Sequence, residues 1–196
     1  MFRTSKILTP ITVAAALAGC ETVGNTYDNV SALWADPIIL PCPEYRILAD
    51  ASRVVQFREG PGRDLVDINI EGRLGDLAME CITNLDKETQ SGTMEVAVTV
   101  SFGVKRGPAN ISKKAVVPYF ISVADKKRNV LYREEFKVAA TFPGNQSAVQ
   151  FLGETIKLEL PLTDKVTSSS YVIYAGLRLN RAQLEYNRRT KNRKRL

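Results

Sequence analysis

The chain has no histidine, a single tryptophan and only three cysteines among its 196 residues. Without histidine it lacks the commonest general base near neutral pH, and with it the usual partner of a nucleophilic serine or cysteine. The commonest ligand for zinc or copper is missing as well. None of Cys20, Cys42 and Cys81 belongs to a Cys-x-x-Cys pair, so the familiar zinc arrangements are not spelled out. No serine stands in a Gly-x-Ser-x-Gly elbow, and Ser52, Ser101 and Ser168 to Ser170 read as ordinary loop chemistry. Helical periodicity is scarce. It is confined to a turn over Asn29 to Ala35, which holds Trp34, and to Arg181 to Arg189.

What is present begins with the first twenty residues. Arg3 and Lys6 make a basic end, and Ile7 to Ala18 follow as an apolar run broken by Pro10. That run is about 12 residues long, whereas a membrane-spanning helix needs about 20. Leu17-Ala18-Gly19-Cys20 then places small residues before a cysteine. This order resembles the signal of bacterial lipoproteins, and the resemblance covers the signal alone. It implies cleavage between Gly19 and Cys20, and a diacylglycerol and acyl lipid (palmitate, for example) on Cys20. It also implies a protein held on a membrane of the cell envelope. Each buried methylene contributes about 0.8 kcal/mol, so two or three chains make a lasting anchor where one does not. Glu21 follows the cysteine where Asp would favour the inner membrane, so the expected site is the outer membrane, facing the periplasm. Export also places Cys42 and Cys81 in an oxidising compartment, where the expectation is a disulfide between them.

The formal charge of +6 is unevenly spread. Loss of Arg3 and Lys6 with the signal leaves +4. Arg188, Arg189, Lys191, Arg193, Lys194 and Arg195 crowd the end, and without these six the body from Cys20 to Asn187 carries −2. A mildly acidic body argues against a nucleic-acid-binding face. The expected organisation is a signal peptide over 1–19, a lipidated end and tether over 20–41, a folded domain over 42–187 and a basic disordered tail over 188–196. The tail suits an anionic surface, whether lipid, envelope polymer or acidic protein.

Period-two alternation dominates the domain. Val66, Ile68, Ile70 and Leu74 alternate with Asp67, Asn69, Glu71 and Arg73, and Val96 to Val104 repeat the pattern. Val117 to Val123 form another run, where Pro118 suggests an edge or bulge. Val130 to Val138, Ile156 to Leu162 and Tyr171 to Leu179 complete the set. Gly60-Pro61-Gly62, Arg106-Gly107-Pro108 and Pro143-Gly144-Asn145 supply turns between them. Seven or so strands of this kind predict an all-β antiparallel sandwich, immunoglobulin- or fibronectin-like, with a small closed barrel as the alternative.

Three groupings invite a chemical reading, and each has a plainer one. Gly60-Pro61-Gly62-Arg63-Asp64 offers backbone amides to an anion, but with no helix behind it reads as a tight turn. Asp64, Asp67 and Glu71 offer carboxylates, yet Asp67 and Glu71 fall on the polar face of a strand, where solvated charge is ordinary. Tyr119, Tyr132, Tyr171, Tyr174 and Tyr186 offer an aromatic strip, though strand aromatics more often pack. No catalytic or metal residue is assigned. The expected role is a non-enzymatic interaction or assembly module of the envelope, its partner an envelope protein or anionic polymer. The alternatives are a hydrolase or transferase using carboxylates and lysine, and a carrier for lipid or another apolar ligand.

Overall fold

A computed structural model describes residues 39–193. Cys20, the Gly19–Cys20 cleavage point, Trp34, Lys194 and Arg195 lie outside the described residues. Nine strands make two sheets: β1 (Glu44–Ile47), β2 (Arg53–Phe57), β3 (Ile68–Leu85), β4 (Gly92–Arg106), β5 (Lys114–Asp125), β6 (Val130–Thr141), β7 (Ala148–Leu152), β8 (Ile156–Leu162) and β9 (Tyr171–Leu177). One helix, α1 (Arg181–Arg193), follows. The first sheet has the order β1-β9-β5-β6. The second runs β2-β3-β4-β7, with β8 beside the other half of β4. Neither closes on itself, so the fold is a sandwich and the barrel alternative is not realised.

The chain visits the sheets in an immunoglobulin-like sequence: β3 and β4, across to β5 and β6, back to β7 and β8, across to β9. Where such folds add a last strand beside β9, β1 lies there instead and runs parallel to it, Glu44 opposite Val172 and Ile47 opposite Ala175. β7 and β8 form one kinked edge. Leu152 pairs with Ser101 and Ile156 with Val98, and the amide of Gly153 still reaches Val100 O at 2.8 Å.

The alternating residues meet between the sheets. Met94, Val96, Val98, Val100, Phe102 and Val104 on β4 face Val117, Tyr119, Ile121 and Val123 on β5, all almost fully buried. Phe102 meets Tyr119 edge-on at 4.9 Å between ring centroids. Each large side chain so buried contributes about 1.5–3 kcal/mol. The space an apolar ligand would need is therefore filled by side chains.

Three local expectations are corrected. Ile68, not Val66, begins β3: Leu65 to Asp67 form a 3₁₀ turn that exposes Leu65 and Val66 and buries Asp67. Pro118 lies in a strand flanked on both sides, not at an edge. It is tolerated because the β9 ladder ends beside it: Leu177 pairs with Tyr119, and the amide of Arg178 then reaches Pro118 O. The tail expected to be disordered from Arg188 is helical as far as Arg193. Asn180 and Gln183 exchange side-chain-to-amide bonds of 2.9 Å at the start of α1, and cations near its end suit the helix dipole.

Helix α1 and the turn Ala49–Ala51 give the first sheet a second covering. The Asn187 amide group donates to Asp50 O at 3.0 Å and to Arg53 O at 2.6 Å, and Arg188 reaches the Asp50 carboxylate at 3.2 Å. Phe120, on the outer face of β5, is thereby buried alongside Tyr119 on the inner face. A Cβ on Gly176 would lie 2.8 Å from the Phe120 ring and 3.2 Å from Ala51, so only glycine permits that approach.

Candidate interaction surfaces

Cys42 and Cys81 are joined by a disulfide, with Cα atoms 5.7 Å apart. Cys81 belongs to the half of β3 that β2 does not reach, and Cys42 stands just before β1 on the opposite sheet. The bond therefore ties the two sheets along one flank. Tyr45 adds to the tie by donating its hydroxyl to Asp76 Oδ1 at 3.2 Å, a contact that raises the phenol's pKa. Asp76 sits in a bulge of β3 where Ser101 Oγ accepts the Asp76 amide at 2.6 Å and donates to Asp76 O at 3.1 Å. Ser101 is thus a structural hydroxyl.

The glycine-rich loop closes on itself. Gly60 takes φ +119°, and Gly62 lies against the Asp67 carboxylate so closely that a side chain there would displace it. Asp67 Oδ2 accepts the amide of Asp64 at 3.2 Å, while Arg58 lies 2.6 Å from Oδ1 in an ion pair angled away from a directed hydrogen bond. The loop's receptor for an anion is already occupied by the chain's own carboxylate. Asp67, expected on a solvated face, is instead the buried pin of this turn, and the three carboxylates Asp64, Asp67 and Glu71 do not converge on a shared cavity. The signal available in sequence was the spacing Asp64-x-x-Asp67, which makes a reciprocal cap.

The five tyrosines do not form a strip. Tyr119 and Tyr171 are buried, with the Tyr171 hydroxyl bonded to Pro161 O at 2.6 Å, while Tyr132 and Tyr186 are exposed on separate elements. The basic cluster is partly accounted for: Arg188 bonds Asp50, Arg189 lies 3.6 Å from Glu185, and Lys191 and Arg193 fall in the last turn of α1.

What composition did not announce is the open edge of β6. This strand is 12 residues long and pairs only with β5 among the described residues, leaving its other side free. Arg133, Glu134, Glu135 and Lys137 guard its middle, the ordinary protection of an exposed edge. Arg133 also lies 3.7 Å from the centroid of Phe120, and Arg178 pairs with Glu135 at 3.0 Å, so this stretch is held in place. Its first three residues have no such guard. Val130, Leu131 and Tyr132 are 63%, 56% and 44% exposed, and the register slips here so that Leu131 is an extra residue against β5. Tyr132 bonds Glu134, which raises the phenol's pKa.

No family model and no curated protein matches this sequence. Among solved structures, the variable (V) domain of the Streptococcus agalactiae AgI/II polypeptide BspA is 14% identical. The match covers 90% of this chain and 93% of that one, with a TM-score of 0.17. At that score the likeness supports no inference about fold or role.

Proposed function

We propose that this protein is a lipid-anchored interaction module of the bacterial cell envelope, a non-enzymatic sandwich that engages a partner through its open strand edges. The observation that carries the reading is the side of β6 that no described residue pairs, where its backbone groups and the exposed Val130, Leu131 and Tyr132 lie together. An extended segment of a partner can add to such an edge through main-chain bonds, its side chains gripping the apolar end. The filled core supports this reading over that of an apolar-ligand carrier. The lipobox-like Leu17-Ala18-Gly19-Cys20 supports the anchor, and the Cys42–Cys81 bond agrees with an oxidising compartment.

The test has two arms in the native bacterium. Cys20→Ser should move the protein out of the membrane fraction and abolish palmitate labelling; unchanged fractionation refutes the anchor. A photo-crosslinking residue at Leu131 should capture a discrete protein, whereas the same residue at Ala97, on the outer face of the second sheet, should not. Equal capture at both positions, or none at Leu131, removes β6 as the binding edge.

A further inference from the structure

Beyond the β6 edge, and independently of it, we propose that the groove between β2 and α1 receives an extended peptide segment bearing a carboxylate. The peptide adds to β2 as a further strand and is anchored by Arg63.

The direction of the backbone groups of β2 is fixed by three bonds. Ser52 O accepts the Leu74 amide and the Arg58 amide reaches Asp67 O, both toward β3. Arg53 O points the other way, to Asn187 on α1. Alternation along a strand then turns the peptide groups of Val55 and Phe57 away from β3, toward α1. Covering a sheet edge with a helix is the ordinary way to silence it. Among the described residues the helix bonds this edge at Arg53 alone, where Asn187 serves as the cap. Further along β2 a groove of about 570 Å³ separates the two elements, within the roughly 300–1,000 Å³ of ordinary ligand sites.

The chemistry of the groove selects its occupant. Phe57 and the half-exposed Tyr186 supply apolar surface, and the small side chain of Ala182 leaves the opening clear. Arg63 lies at the Phe57 end, its guanidinium 5.4 Å from the ring centroid and 2.8 and 2.5 Å from Gly60 O and Gly62 O. Two carbonyls and a ring orient it, but no carboxylate pairs with it among the described residues. Glu185, the single acid lining the groove among the described residues, is shared between Arg181 at 3.4 Å and Arg189 at 3.6 Å. The groove therefore carries net positive charge beside an unpaired strand edge. A held guanidinium binds carboxylate by charge-assisted, paired hydrogen bonds. An acidic extended segment satisfies both the edge and the charge; a basic or helical one satisfies neither.

The test uses the mature chain, residues 20–196 with Cys20→Ser, and two fluorescein-labelled peptides. One alternates threonine and valine and ends in aspartate with a free carboxylate; the other ends in lysine amide. The acidic peptide should bind at least tenfold more tightly, and the amides of Val55 and Phe57 should gain protection from hydrogen exchange. Arg63→Ala should erase the preference. Ala182→Trp, which fills the groove without altering its charge, should abolish binding of both peptides while the melting transition persists. The proposal is overturned if wild type does not distinguish the peptides, binds neither at millimolar concentration, or is unaffected by Ala182→Trp. Binding that emerges only after deletion of residues 21–37 would assign the groove to that segment. Self-association blocked by Ala182→Trp would assign it to a second copy. Either result also overturns the proposal, and neither bears on Cys20 or Leu131.

Discussion

Removing the disulfide should weaken this fold by an amount that the chain itself dictates. The bond closes a loop with a sequence separation of 39. In the chain-entropy treatment, freeing a loop of that length gives back about 4 kcal/mol of stability to the unfolded state. For a domain of this size each kcal/mol moves the melting temperature by about 2–4 °C, so Cys42→Ser/Cys81→Ser should melt roughly 8–16 °C lower. The native state should respond as well. Once the bond is gone, β1 is held by a four-residue parallel ladder, the Leu48 amide on Ala175 O, and the Tyr45–Asp76 contact. Parallel pairing is somewhat weaker per residue than antiparallel pairing, and a ladder this short frays readily. Urea denaturation of the double variant should therefore show a lower midpoint, and hydrogen exchange should show faster opening of Glu44 to Ile47 than of β5 or β9. A variant within about 1 kcal/mol of wild type would refute the entropic reasoning. A large loss of stability with β1 still protected would place the whole effect in the unfolded chain.

Two further predictions follow from polar contacts. Asn187→Ala removes both bonds from α1 to the main chain at Asp50 and Arg53, at a cost of about 1–3 kcal/mol. Calorimetry should register that loss, and the amides of α1 should exchange faster; an unchanged melting point would show that the helix is held by other contacts. Asp125 and Asp86 each fold a turn around a carboxylate. The Asn129 side chain and amide hold the Asp125 carboxyl below its ordinary pKa, and the Thr89 amide and hydroxyl do the same for Asp86. A carboxyl depressed on folding contributes stability above its unfolded pKa, and the contribution disappears as pH falls through the folded value. Carbonyl-carbon NMR titration should place both midpoints below 3.8; midpoints at or above that value would refute the assigned hydrogen bonds.

Much of the sandwich was legible because burying one face of a strand demands alternation, and the five alternating runs all became strands, apart from Val66 at the start of the first. The strands that went unread are short: β1, β2 and β7 have four, five and five residues, too few for a period of two to stand out. β9 reads as a continuous apolar run because both its faces are buried, one in the core and one toward the Ala49–Ala51 turn. Asp67 misled because charge on a strand is ordinarily solvated, whereas a carboxylate three residues after Asp64 can instead be drawn into a turn. The basic end misled for a related reason. Its cations forbid burial but not helix formation, once Asn180 and Gln183 cap the start and Asn187 finds main-chain partners. Neither open edge was legible, because being at an edge is a property of strand order, which no local pattern records.

That strand order explains why the proposed partner-binding surface should be sought on the flanks. Each sheet of an open sandwich has two edges, and each edge is a row of backbone groups that must be paired, covered or guarded. Where β2 stops short of the far half of β3, the disulfide and Tyr45 hold β1 close by. On the opposite flank the second sheet ends in β7 and β8, kinked at Gly153 and interrupted by Pro161, which makes a poor template for a further strand. Charge guards the middle of β6, and Asn187 covers the start of β2. Among the described residues, the beginning of β6 and the end of β2 have neither guarding charge nor cover, only a bulge each, and each has apolar side chains beside its free backbone. An edge meant only to be silent would be expected to carry charge there instead. Replacing Leu131 with lysine should therefore leave folding intact and cost only the proposed partner binding. A loss of stability comparable to that of a core truncation, about 2–5 kcal/mol, would show that Leu131 supports the fold itself and would remove β6 from consideration as a recognition edge.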